Sequence, residues 1–186
     1  DGAQLLVEDH VVQLIDQGLK APHGLTLQNG TDCYHRAPGG SRVATAEQTI
    51  DIAVPPAAFF AVVSDVARYP EFIPQMEHVR VLQTDGDTVD AEFTLHLITR
   101  IRYSLRLVAD APTSLSWTTL GGDLRANTGS WTLEALPDGT TRAHYKVAVE
   151  VGMFVPGAIV TRLVGRDLPE TLRAFKARAE SIGDAA

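Results

Sequence analysis

The sequence predicts an α+β domain in which a curved antiparallel sheet of about seven strands wraps around one long C-terminal helix, with two short helices after the first strand. Three observations carry this reading. From Pro156 to Ile182, the residues Val160, Val164, Leu168, Leu172, Phe175, Ala179 and Ile182 recur at steps of four, four, four, three, four and three. That spacing places them on one face of a helix. Arg162, Arg166, Arg173, Lys176, Arg178 and Glu180 take most of the remaining surface. The preceding stretch alternates apolar and polar residues between short turns and holds no second long helix. An amphipathic helix must bury its stripe, and only that sheet is large enough to receive it.

Residues 1–41 read as an N-terminal extension, too short to hold much core alone, packed on a domain of residues 42–186. Within the extension, Leu5, Val11 or Val12, Leu14 or Ile15, and Leu19 give a loose helical face, although the same stretch also fits short β runs. Ala21-Pro22-His23-Gly24 breaks it. Leu25 to Gln28, the turn Asn29-Gly30, and Thr31 to His35 suit a hairpin with a type I′ turn.

Ala46, Gln48, Ile50, Ile52 and Val54 alternate with more polar neighbours, as in a half-buried strand. Pro55-Pro56 ends it, and the second proline suits the first turn of a helix. Ala57 to Val66 is short and apolar, hence helical. Pro70 and Pro74 leave room for a second short turn at most. Strands follow at Val79 to Gln83, Val89 to Leu97, Ile101 to Ala109, Leu115 to Thr119, Leu124 to Leu136 (Trp131, Leu133 and Ala135 on one face) and Ala143 to Val151. Short turns imply a meander, and a single apolar face implies cover on one side only. Such a sheet curls. Any space it leaves unfilled against the helix is a pocket. The helical stripe runs through Gly165 and Pro169, which predicts two segments broken near Arg166 to Leu168. The entrance is expected there, where Leu163, Val164 and Leu168 meet the sheet.

Composition narrows the function. The chain has 186 residues, 45% hydrophobic and 21% charged, which fits one globular domain. No apolar run reaches the ~20 residues of a membrane-spanning helix. A net charge of −7 argues against nucleic acid as the main partner. Cys33 is the only cysteine, so no internal disulfide forms, and the compartment stays open between cytoplasm and periplasm or secretion. A chain opening at Asp1 fits a trimmed tag or a cleaved signal peptide.

His10, His23, His35, His78, His96 and His144 form no i+2, i+3 or i+4 pair, and HExxH and CxxC are absent. No metal or other cofactor is expected. Cys33 and His35 share a strand face but lack a third orienting group. GxSxG and phosphate-binding glycine loops are also missing. Arg100, Arg102 and Arg106 line one outer strand face. A solvated face is the plain reading, and an anionic partner such as a lipid surface or RNA the alternative. Asp167 and Glu170, with Pro169 between them, fit a capping box.

Ser64-Asp65-Val66-Ala67-Arg68-Tyr69-Pro70-Glu71-Phe72-Ile73-Pro74 resembles the segment after the first helix in START-like (SRPBCC) proteins of the coenzyme Q-binding and polyketide cyclase/dehydrase group. Gly129 to Leu133 with Pro137 to Arg142 resembles that group's next-to-last hairpin, and Leu168 to Lys176 its closing helix. The likeness spans roughly Ser41 to Ile182. It implies a helix-grip fold with a hydrophobic cavity.

The expected wall is Phe93, Leu95, Tyr103, Leu105, Trp117, Trp131, Tyr145 and Val147 from the sheet. Leu163, Val164, Leu168 and Phe175 are expected from the helix. The expected partner is an apolar small molecule: a lipid, isoprenoid quinone, sterol or polyketide-like compound. Transient membrane contact fits that role. No catalytic residue is assigned, so a carrier or binding protein is favoured. The alternatives are an aromatase/cyclase-type enzyme, with Tyr103, Tyr145, Asp167 and Thr171 as its polar groups, and an interaction protein of the ribosome-association type.

Overall fold

The structure, a computed structural model, describes residues 34–36, 42–97, 99–151 and 167–183. In chain order these form β1 (Tyr34–Arg36), β2 (Arg42–Ile52), α1 (Pro56–Ser64), a 3-10 turn (Val66–Arg68), α2 (Tyr69–Phe72), β3 (Met76–Asp85), β4 (Thr88–His96), β5 (Arg100–Asp110), β6 (Ser114–Gly122), β7 (Leu124–Ala135), β8 (Thr141–Val151) and α3 (Leu168–Gly183). The strands make one antiparallel sheet in the order β1-β2-β8-β7-β6-β5-β4-β3. Seven are long, and β1 adds three residues at the edge. The expected meander runs from β3 to β8. Gly86, at φ 55°, turns β3 into β4, a conformation that costs glycine nothing.

One pairing is not local. β2 lies beside β8, from Arg42 opposite Val151 to Ile52 opposite Thr141. Thr141, fully buried, donates its hydroxyl to the Val54 carbonyl at 2.6 Å, fastening the chain where it leaves β2. β1 pairs with β2, Tyr34 opposite Ala44. The predicted partner of that segment at 25–28, and the helix before it, lie outside the described residues.

β5 shows the alternation plainly. Ile101, Tyr103, Leu105 and Leu107 are buried, whereas Arg100, Arg102, Arg106 and Val108 are exposed. One expectation fails at a strand end. Ala135 is exposed, because β7 has run past the core by its last residue. β3 buries only Met76 and Val79, and Val81 and Leu82 stay 43% and 46% exposed on the sheet's edge strand.

α1 starts at Pro56 and buries Phe59, Phe60, Val62 and Val63. α2 is the single short turn that two prolines allow. α3 begins at Leu168 with Pro169 in its first turn and buries Leu168, Leu172, Phe175 and Ala179. Ile182, predicted in the stripe, is 47% exposed, because it lies at the helix's last turn. The polar side of α3 clamps it down. Lys176 Nζ donates to the Asp51 carbonyl and to Glu180 Oε1, both at 2.6 Å, and that carboxylate accepts the Ala53 N–H at 2.8 Å. Arg178 donates to Glu71 at 2.8 Å and sits 5.8 Å above the Phe72 ring.

The outer sheet face is a lattice of cross-strand ion pairs. Arg106 grips Asp90 in bidentate fashion at 2.8 and 2.7 Å, Arg100 grips Glu77 at 2.7 Å, and Arg142 grips Asp51 at 2.8 and 2.9 Å. Two of the three arginines predicted as a basic stripe on β5 are thus neutralised by neighbouring strands. Exposed pairs of this kind stabilise little and are screened by salt.

Candidate functional site

Between the sheet's concave face and α3 lies a cavity of about 160 Å³. Its aromatic wall follows from register. Phe93 on β4 lies opposite Tyr103 on β5, and their rings stack at 5.4 Å and 11°. Trp131 on β7 lies opposite Tyr145 on β8, with rings edge-on at 4.8 Å and 62°. Trp117 on β6 leans on Tyr145 at 5.6 Å. Phe175 of α3 meets Trp131 at 5.5 Å and closes the space from the helix side.

Leu95, Leu105, Val147 and Leu168 also border the cavity, with Phe93, Tyr103, Trp117, Trp131, Tyr145 and Phe175. The inward period-2 positions of the strands and the buried stripe of the helix therefore converge on one space. Leu163 and Val164, and the expected entrance with them, lie outside the described residues.

Sequence reasoning missed several wall residues. Asn127 accepts the Trp117 Nε1–H at 3.0 Å, fixing the indole. It shares the inward face of β7 with Gly129 and Trp131, so the alternation contained the signal. Tyr69, in the α2 turn, also borders the cavity, but its hydroxyl is spent on the Val63 carbonyl at 2.5 Å. Gln75 donates Nε2–H to Glu170 at 3.0 Å, while its Oε1 is buried without a partner. One Glu170 oxygen of the predicted capping box is thus engaged by Gln75. Asp167 is buried, 4% exposed, on the cavity wall. Thr171 donates to the Asp167 carbonyl at 2.8 Å.

The Tyr103 and Tyr145 hydroxyls differ from these groups. Neither has a hydrogen-bond partner among the described residues. Burial pushes the phenols of Tyr69, Tyr103 and Tyr145 well above the usual phenol range, with smaller contributions from one another at Tyr69 and Tyr145. A raised folded-state pKa stabilises the fold fully below the unfolded value near 10, and that contribution is lost as pH climbs through the folded value. Ultraviolet titration is therefore expected to show these three tyrosines ionising only as the protein unfolds in alkali. A smooth, reversible titration of all four tyrosines near pH 10 with the fold intact would contradict this.

A larger trough of about 310 Å³ lies on the outer face between Thr45, Glu47, Thr128 and Lys146. It is open, and the exposed Glu47–Lys146 pair, 2.9 Å apart, spans it. Such a hollow excludes little water, so the deeper, more apolar cavity between sheet and α3 is the better site. Among the described residues, no three His, Cys, Asp or Glu side chains converge to hold a metal ion. Cys33 lies outside the described residues, as does the side chain of His35.

The architecture recurs in solved structures. The Zhui aromatase/cyclase from a Streptomyces species shares 16% identity, with a TM-score of 0.67 over 74% of this chain and 94% of that one. A START superfamily protein from Mycobacterium smegmatis shares 20%, with a TM-score of 0.66 over 74% and 98%. A STAR-related lipid transfer protein from Xanthomonas axonopodis shares 11%, with a TM-score of 0.61 over 80% and 98%. At such identities the likeness establishes the helix-grip fold. Comparison with curated protein sequences gives no match. The family model for polyketide cyclase / dehydrase and lipid transport matches residues 52–176, from the end of β2 into α3 and so across nearly the whole cavity wall, and the chain belongs to that family.

Proposed function

We propose that the protein binds a hydrophobic small molecule between sheet and α3, as a carrier or binding protein. The aromatic-walled cavity between sheet and helix carries this reading. Apolar area withdrawn from water supplies roughly 25 cal/mol per Å², and the walls are held in place by their own ring contacts, so little ordering is left to do on binding. At about 160 Å³ the space is smaller than the roughly 300–1,000 Å³ of drug-sized sites. A whole lipid, sterol, polyketide or isoprenoid quinone would enter by moving side chains or by leaving part of itself outside. No helix among the described residues is long and apolar enough to cross a membrane. Transfer to or from a membrane would then be transient contact, and the exposed Val81 and Leu82 suit it.

An aromatase/cyclase-type enzyme is the second reading. One observation favours it: Tyr103, Tyr145, Asp167 and Thr171 all reach the wall. General acid–base catalysis works best with a group titrating near the working pH, and burial moves both phenols further from it. Binding therefore stands first. The paired arginines of the outer face weaken the ribosome-association reading.

Organic extraction of the purified protein followed by mass spectrometry tests the proposal. An apolar compound is expected to co-purify in a fixed ratio to the chain. A clean extract, together with no binding of any apolar probe, would sink it.

A further inference from the structure

We infer that the cavity is built for an uncharged carbonyl compound about one ring in size, its oxygen accepting from the Tyr103 or Tyr145 hydroxyl. This rests on the binding reading above and narrows it.

Hydrogen-bond accounting comes first. Four donors on the wall are already spent: Tyr69 on Val63, Trp117 on Asn127, Thr171 on Asp167, Gln75 on Glu170, while the Trp131 indole N–H and the Asn127 amide N–H stand beside the two phenols as further donors. Tyr103 and Tyr145 alone among the wall hydroxyls have no partner among the described residues, in a lining otherwise dominated by Leu, Val and aromatic rings. A hydroxyl left unbonded in such surroundings is costly. A ligand that brings an acceptor removes that cost. A phenol donates more readily than it accepts, because its lone pairs delocalise into the ring, so the fitting group is an acceptor. Burial keeps both phenols protonated, hence donors, throughout the physiological range.

Charge comes second. The described lining includes Asp167 and no Lys, Arg or His. A carboxylate or phosphate placed there would lose its hydration without meeting a cation among the described residues, and it would face an acidic residue. A carbonyl oxygen needs only the donor.

Size comes third. About 160 Å³ is close to the roughly 150 Å³ of an apolar cavity known to hold benzene. One substituted ring fits without rearrangement.

The test uses three matched probes: acetophenone, ethylbenzene and benzoate. Binding is read from quenching of Trp117 and Trp131 fluorescence and by calorimetry. Acetophenone is expected to bind about tenfold tighter than ethylbenzene, the worth of one hydrogen bond. Benzoate is expected to bind at least about tenfold more weakly than acetophenone. In the double variant Tyr103→Phe/Tyr145→Phe, the acetophenone preference is expected to shrink to within about twofold while ethylbenzene affinity holds. If the double variant does not fold, the two single variants carry the comparison, and at least one is expected to lose most of the preference. Equal affinity for acetophenone and ethylbenzene would overturn the carbonyl assignment and leave the binding reading standing. So would a preference that survives both substitutions, or benzoate matching acetophenone. If extraction yields an apolar compound but no ring-sized probe binds, this inference alone falls. An empty extract and no probe binding would take both down.

Discussion

Phe175→Ala is expected to lower the free energy of unfolding by about 3–5 kcal/mol, the range for removing a buried aromatic side chain. Phe175 is 4% exposed and stands where every layer meets. Its ring is edge-on to Tyr69 at 5.0 Å, to Phe72 at 5.2 Å and to Trp131 at 5.5 Å. Trp131 in turn packs edge-on against Phe59 of α1 at 5.4 Å. The ring thus ties α3 to α2, to the sheet and, through Trp131, to α1. Its neighbours are pinned: the Tyr69 hydroxyl by Val63, and Trp131 between Phe59 and Tyr145. Pinned neighbours cannot collapse into the vacated volume, and unrelaxed cavities are the costly ones. The new space also adjoins the existing cavity, since Phe175 is part of its wall. The variant should therefore lose stability and gain room, binding a two-ring probe such as naphthalene better than the parent does. Urea unfolding at fixed m-value measures the first effect and fluorescence titration the second. A loss below about 1 kcal/mol would mean that the ring is not the junction its contacts describe.

The elements were legible where local pattern and tertiary demand agree. In β5, Ile101, Tyr103, Leu105 and Leu107 alternate with arginines and serine because one face meets the core and the other meets water. The stripe of α3 from Leu168 to Ala179 was readable for the same reason. The pairing of β2 with β8 was not, because no turn links them and roughly a hundred residues of chain separate them. The Gln75–Glu170 contact was hidden for a related reason: the local pattern around Glu170 says nothing of a partner far away in sequence. The cavity wall was half legible. Period-2 positions gave its aromatic part, while Tyr69 and Gln75 come from the short turn between α1 and β3, which has no period to read. The property that sets the candidate chemistry, two hydroxyls without partners, emerges only when all the elements are in place.

Gly129→Ala is expected to cost about 3 kcal/mol, the upper end for overpacking. Gly129 lies opposite Trp117 on β6 and opposite Val147 on β8. A Cβ added there would fall 2.3 Å from the Lys146 carbonyl oxygen and 2.3 Å from Cζ2 of the Trp117 indole. Neither neighbour can easily give way. The carbonyl belongs to the ladder of the central strand pair β7–β8, and the indole is tethered by Nε1–H to Asn127 at 3.0 Å. The glycine is thus the space into which the tryptophan folds, an arrangement that covers exposed strand backbone with an aromatic ring. Trp117 also leans on Tyr145, so a displaced indole disturbs one of the two hydroxyl-bearing walls. Ligand affinity is therefore expected to fall along with stability, although Gly129 offers no side chain to a ligand. A double-mutant cycle separates the two clashes. If the indole were the whole obstacle, adding Gly129→Ala to a Trp117→Leu background would cost nothing. Because the Lys146 carbonyl stays in place, the second substitution is expected to keep a substantial part of its cost, with a coupling energy above about 1 kcal/mol reporting the indole's share. Strict additivity of the two substitutions would show that Trp117 does not rest in the hollow that Gly129 provides.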